Sequence, residues 1–394
     1  MEFCVSGYSK LLITFIIFTF CILIANDNAL SADIKISGGQ NYSLLLKPDG
    51  SLWAWGDNNF GQLGDGTTKA QISPEKIGSD LYTEISVGQF HSLALKQDGY
   101  LYSWGQNFRG ELGDGTWNQQ QNPVQIGTGF KKISAGMFST FAIKGDGSLW
   151  SCGFNNHGQL GDGTNEDKNV LERVGTGIYA CISAGAMHVL ALKADGTLWA
   201  WGDNTYGQLG DGTNSDKLKP VQIGKATYKA IAAGRGHSIA IKTDGTLWAW
   251  GDNSHGGQLG TGSTIAESNV PLQISSEKYL YVSAGNNNSF AIKSDGTLWA
   301  WGNNYYKQLG DGTNEDRNPP VQIGKETFLT VAAGQTHSLA VKSDGSVWTW
   351  GTNSHGELGD GTTTDKSLPV MIFPAYLTKK TSTDIAPIKL LLLN

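Results

Sequence analysis

One sentence is written seven times in this chain, and that repetition constrains the fold more than any other feature. Its clearest marker is an Asp-Gly pair, found at Asp49-Gly50, Asp98-Gly99, Asp146-Gly147, Asp195-Gly196, Asp244-Gly245, Asp295-Gly296 and Asp344-Gly345, with spacings of 48 to 51 residues. The fourth copy is representative: Ile182-Ser-Ala-Gly185, His188-Val-Leu-Ala-Leu-Lys193, Ala-Asp-Gly196, Thr-Leu-Trp-Ala-Trp-Gly202, then Gly-Gln-Leu-Gly-Asp-Gly-Thr213 and Pro220-Val-Gln-Ile223. Two short apolar runs joined by Asp-Gly form a strong hairpin signal, because glycine accepts the positive φ of a tight turn. Ile182–Gly185 supplies an earlier, innermost strand and Pro220–Ile223 a fourth. No convincing 3.6-residue periodicity occurs after the first 32 residues. A period near fifty with four strands per copy predicts an all-β, seven-bladed β-propeller with about four antiparallel strands per blade.

Side-chain alternation agrees. Trp199 and Trp201 share one strand face, while Leu198 and Ala200 share the other. Strands apolar on both faces suit blades stacked around a ring, where a bulky face fills its neighbour's hollow. Both tryptophans of each pair are therefore expected in the core between blades. The 53 glycines among 394 residues, roughly twice the usual share, fit a chain dense in turns.

The repeated Ala-Gly-x-x-His-Ser-Leu-Ala-Leu-Lys-x-Asp-Gly-x-Leu-Trp-x-Trp-Gly-x-Asn-x-x-Gly-Gln-Leu-Gly-x-Gly resembles the regulator of chromosome condensation repeat, in the form found in secreted bacterial proteins. The resemblance covers roughly residues 33 to 373. It implies a seven-bladed propeller but no single function: the superfamily includes a nuclear guanine-nucleotide exchange factor, ubiquitin-ligase modules, a plant ultraviolet photoreceptor and a secreted bacterial inhibitor of β-lactamases.

Residues 1–32 differ from the rest. Lys10 precedes Leu11 to Ala25, a run without charge, and a polar, small-residue stretch follows to Ala32. This is the layout of a secretory signal peptide and is short for a membrane span. The expected organisation is a leader at 1–32, the propeller at 33–374 and an unmatched tail at 375–394. The expected location is secreted, periplasmic or at the cell surface, with no stable membrane insertion after cleavage. Export would permit pairing of Cys152 with Cys181, but Cys152 stands where other copies carry Trp, and a buried free Cys there serves as a small hydrophobe. A net charge of −6 without basic runs argues against nucleic acid.

The meander sorts the loops to two rims. At the Asp-Gly rim the copies are nearly uniform, each with a lysine two residues before the Asp, which predicts a solvated surface of balanced charge. At the other rim, a constant Asn (Asn58, Asn107, Asn155, Asn204, Asn253, Asn304, Asn353) carries variable side chains two positions on: Phe60, Arg109, His157, Tyr206, His255, Tyr306 and His355. The Gly-x-x-His loops add Phe90, Phe138, Met187 and Arg235 at the same rim. Aromatic, His and Arg side chains on loops held by a rigid scaffold compose a recognition surface. The expected function is binding of a partner protein by a monomer through this rim. Two alternatives are carbohydrate binding by stacking on Tyr and Phe, and nucleotide exchange by family analogy.

Catalysis is not expected, since no copy breaks the symmetry with nucleophile, base and orienting acid together. No cofactor or metal is expected either. Asp162-Gly-Thr-Asn165-Glu-Asp167 lacks the order and distal Glu of an EF-hand. His157, His255 and His355 fall in non-adjacent blades and should not share an ion.

Overall fold

The computed structural model describes residues 34–375; the predicted leader, and the tail from residue 376, lie outside the described residues. Every element is a β-strand, and the Asp-Gly hairpins form as the sequence predicts. In the fourth copy, His188–Leu192 pairs with Thr197–Gly202, Val189 facing Trp201 and Ala191 facing Trp199. Gly196 takes a φ of 79° in the turn. Asp195 Oδ1 accepts hydrogen bonds from Thr197 N at 3.0 Å and Thr197 Oγ1 at 2.7 Å. The carboxylate thus replaces a backbone turn acceptor, which is why Asp recurs there.

Two strands of 17 residues, Lys217–Ala233 and Arg317–Ala333, run from the outer edge of one blade into the inner edge of the next. Val221 pairs with Ala200 in the fourth blade, whereas Ile231 pairs with Ala240 in the fifth. Counted this way, the 26 strands make seven four-stranded antiparallel blades, each drawn from one continuous stretch of chain. The Pro-Val-x-Ile strand belongs to its own copy. Blade 7 packs directly on blade 1: Leu339, Val341 and Val347 share a core cluster with Leu45 and Trp55. Ser43 Oγ lies 2.8 Å from His337 Nε2, and Gln335 N donates to Gly39 O at 3.0 Å. Those bonds repeat the ones at other seams, so the ring closes with no special device.

The seams explain the repeated residues. Trp55, Trp104, Trp201, Trp250, Trp301 and Trp350 are fully buried. Each donates its indole N–H to a loop carbonyl of the preceding blade, as Trp250 does to Gln208 O at 2.8 Å. Cys152 occupies this place in blade 3 as a free, buried thiol, its Sγ 3.8 Å from Glu111 O. It is therefore not joined to Cys181. The repeated His opens the second strand and bonds across the seam, His237 Nε2 lying 2.9 Å from Ser289 Oγ.

The first tryptophan of each pair departs from expectation. Trp53, Trp150, Trp199, Trp248, Trp299 and Trp348 are only half-buried. The lysine before each Asp-Gly turn covers the exposed ring, with Lys242 Nζ 3.2 Å and Lys193 Nζ 3.7 Å from their ring centroids. These lysines are cation–π lids, and Lys96, Lys293 and Lys342 also pair with Asp80, Glu277 and Glu326 as a balanced charge surface requires.

Candidate binding rim

The constant Asn builds the opposite rim from inside. Asn204 is buried. Its Oδ1 accepts from Leu209 N at 3.0 Å, and its Nδ2 donates to Asp211 Oδ1 at 3.1 Å and to the carbonyls of Thr213 and Ser215 at 2.9 and 3.2 Å. At Asp211 burial alone would raise the carboxyl, but hydrogen bonds from Thr213, Lys217 and Asn204 outweigh it and hold the group below the usual range. One amide thus pins a whole loop and leaves the residues just after it as outward tips. Blade 5, with Thr261 in place of the acid, keeps Leu259 N on Asn253 Oδ1 and turns Nδ2 to Ile265 O at 2.8 Å. The segment weighed for calcium uses its acids the same way: Asp162 accepts from Thr164 and Asn155, and Asp167 caps Asn155 N at 2.9 Å.

Chain direction sends all the expected tip residues to this rim, but they do not form one uniform ring. Blades 1 to 3 bring several together. Phe60 lies 5.0 Å from Phe90 and 5.8 Å from Phe108, centroid to centroid. The Arg109 guanidinium stacks 4.8 Å over Phe154, which meets Phe138 edge-on at 6.3 Å. Phe108 is 57% exposed. Elsewhere the tips make isolated contacts, within their own loop or with a single neighbouring loop. Tyr306 stacks on Tyr305 at 5.0 Å. His255 Nδ1 lies 2.7 Å from Asp252 Oδ2, and His355 Nδ1 lies 2.9 Å from Ser354 Oγ. Tyr206 leans on Gly236, and Met187 Sδ accepts from Gln159 Nε2 at 3.3 Å.

Two tips also clip neighbouring blades. Asp167 directs Oδ2 to Arg109 at 3.6 Å, and Asp216 directs Oδ2 to His157 Nδ1 at 2.8 Å. Lys307 makes the matching contact with Asp365 at 3.7 Å. Arg235 belongs to a different set. It is the residue directly after the loop Gly, and with Gln40, Gln89, Met137, Ala186, Asn286 and Gln335 it lines the mouth of the central channel. Beside the aromatic sector, burial raises the Glu111 carboxyl to about 7. Its Oε2 accepts from Arg109 N at 2.7 Å, while Oε1 has no partner.

Phe108, Phe154 and Tyr305 were missed by reading only the second position after Asn. They sit immediately beside the constant Asn, so comparing its flanking columns would have found them.

Comparison with known proteins matches this geometry. The model of the RCC1-like domain matches residues 171–387, and that of the regulator of chromosome condensation (RCC1) repeat matches 49–95, 98–143 and 146–192. The ultraviolet-B receptor UVR8 of Arabidopsis thaliana is 44% identical over 43 residues, which is 11% of this chain and 10% of the receptor. The chain therefore aligns with only about a tenth of that receptor's length. Among solved structures, Prp20p of Saccharomyces cerevisiae superposes with a TM-score of 0.75 at 23% identity, covering 91% of each chain. Human WBSCR16 gives 0.75 at 19%, covering 82% of this chain and 94% of its own. At such identities these structures speak for the fold alone. With the family model spanning more than half of its residues and the seven blades closed into a ring, the chain belongs to the RCC1-like propeller family.

Proposed function

We propose that this chain is an exported, non-catalytic scaffold that grips a partner protein with its Asn-loop rim, anchored by the aromatic sector of blades 1 to 3. The observation that carries this reading is the set Phe60, Phe90, Phe108, Arg109, Phe138 and Phe154, five rings and a guanidinium in two linked groups. Leaving such area in water costs about 25 cal/mol per Å². Aromatic residues and Arg at the centre of a patch are the side chains that most often dominate binding energy. At the other rim the repeated ring is already capped by lysine. Prp20p has binding properties towards Gsp1p and histones, a precedent for protein recognition by a propeller of this fold. Export is the reading of the apolar leader.

The test is affinity capture from the native exported fraction, followed by titration of the captured protein. Phe60→Ala and Phe108→Ala should each weaken binding roughly tenfold or more, about 1.4 kcal/mol. Unchanged affinity in both variants contradicts the proposal. A glycan-array signal with the same dependence on Phe60, and no captured protein, would replace the partner protein by a carbohydrate.

A further inference from the structure

At the seam between blades 3 and 4, His157 meets two carboxylates, Asp203 and Asp216, and the three offered ligand atoms all lie within 4.8 Å of one another. We propose that this triad is a site for a divalent first-row transition metal, zinc being the first candidate, that ties blade 3 to blade 4 on the binding rim.

Two sibling seams have the same design with one carboxylate and one permanent cation: Arg109 with Asp167, and Lys307 with Asp365. There the residue corresponding to Asp203 is uncharged, Phe154 in one case and Thr352 in the other. The His157 seam carries two carboxylates. Among the described residues neither has a Lys or Arg partner, and even a doubly protonated imidazole leaves one negative charge over. A divalent ion with a neutral imidazole balances both carboxylates, as permanent cations balance the sibling seams.

Geometry and chemistry point the same way. His157 Nδ1 is 2.8 Å from Asp216 Oδ2 and 3.8 Å from Asp203 Oδ1. Ligands about 2.0–2.2 Å from a tetrahedral zinc stand about 3.4 Å apart, between those two separations. Both carboxylates are oriented from behind. Asp216 Oδ1 accepts from Asn204 N at 2.9 Å, and Asp203 Oδ2 accepts from Gln208 Nε2 at 2.7 Å. Asp203 Oδ1 also accepts from Thr205 N at 3.0 Å and Thr205 Oγ1 at 2.6 Å, and such bonds fix the direction of both carboxylates. One imidazole nitrogen with two carboxylates suits zinc better than calcium or magnesium, which take oxygen ligands in larger number. His157 and Asp216 keep about a third of their side-chain surface in solvent, 34% and 35%, which lets an ion in and leaves a coordination position open.

The test is calorimetric titration of Zn²⁺ into the full chain after chelator treatment, with melting curves in parallel and Mg²⁺ and Ca²⁺ as comparators. The expected result is saturable binding of one Zn²⁺ per chain, a melting temperature raised by a few degrees, and no equivalent response to the other two ions. His157→Arg reproduces the Arg109–Asp167 arrangement, so it should fold and melt normally but lose both the Zn²⁺ heat and the Zn²⁺-dependent shift. A double His255→Gln, His355→Gln variant should retain them. The assignment is overturned if the wild type binds no stoichiometric Zn²⁺, if His157→Arg binds it as well as the wild type, or if Mg²⁺ or Ca²⁺ gives the same response.

Discussion

His91, His188, His237 and His337 are fully buried at the seams, and burial pushes His91 and His237 to about 3 and His188 and His337 to about 4. The folded protein keeps these rings neutral, whereas the unfolded chain protonates them near 6.5. Unfolding therefore takes up protons between those values. Their stabilising contribution is whole above pH 6.5 and is lost as pH falls towards 4, with a slope of up to ~1.4 kcal/mol per pH unit for each ring. Urea midpoints measured from pH 7 to 4.5 should fall steeply, and His237→Ser should make the fall shallower while lowering the midpoint at pH 7. The same rings explain the glycine three residues before them. A Cβ on Gly234 would stand 2.4 Å from His237 Cε1 and 2.7 Å from Gly285 O. Gly234→Ala is expected to destabilise by about 1–3 kcal/mol, readable in the same titration. The sequence marked the His as a hydrogen-bonding strand start, and Nε2 bears that out. The glycine's reason was not legible, because the backbone oxygen that excludes a Cβ comes from the next blade.

At the scale of elements, period-two alternation placed Trp199 and Trp201 on one face and so predicted equal burial. Alternation carries no information about depth along a strand. The second tryptophan of each pair lies under the preceding blade's loop, where a carbonyl meets its N–H. The first lies nearer the Asp-Gly turn, where Thr or Ser takes its N–H and lysine covers its face, as at Trp248 with Thr246 Oγ1 at 2.8 Å. Trp250→Ala should accordingly cost about 3–5 kcal/mol, and Trp248→Ala about 1–2 kcal/mol, in equilibrium unfolding. Equal losses would remove the distinction. The hairpins, their turns and the constant Asn were readable from the chain because their bonds close within a few residues. The clips from Asp167 and Asp216 to the preceding blade were not. Each spans about one repeat, and only some copies carry the acid.

For the whole molecule, tiling makes most of the surface repeat itself, and the non-identical side chains at the Asn-loop rim carry what is individual to this protein. The blade count and the loop rim followed from the repeat alone. The division of that rim did not: gathering Phe60, Phe90 and Phe108 into one sector depends on how adjacent blades lean together. Closure is by the ordinary seam between blades 7 and 1, and the same kind of packing joins the consecutive blades 2 and 3. The central claim is that this sector, on this rim, holds the partner. Hydrogen exchange of the chain with and without its captured partner tests it most directly. Protection is predicted at residues 58–62, 89–91, 107–111, 137–139 and 154–157, with the Asp-Gly turns at 96–99, 193–196 and 293–296 unchanged. Protection at those turns with none in the aromatic sector would contradict the account.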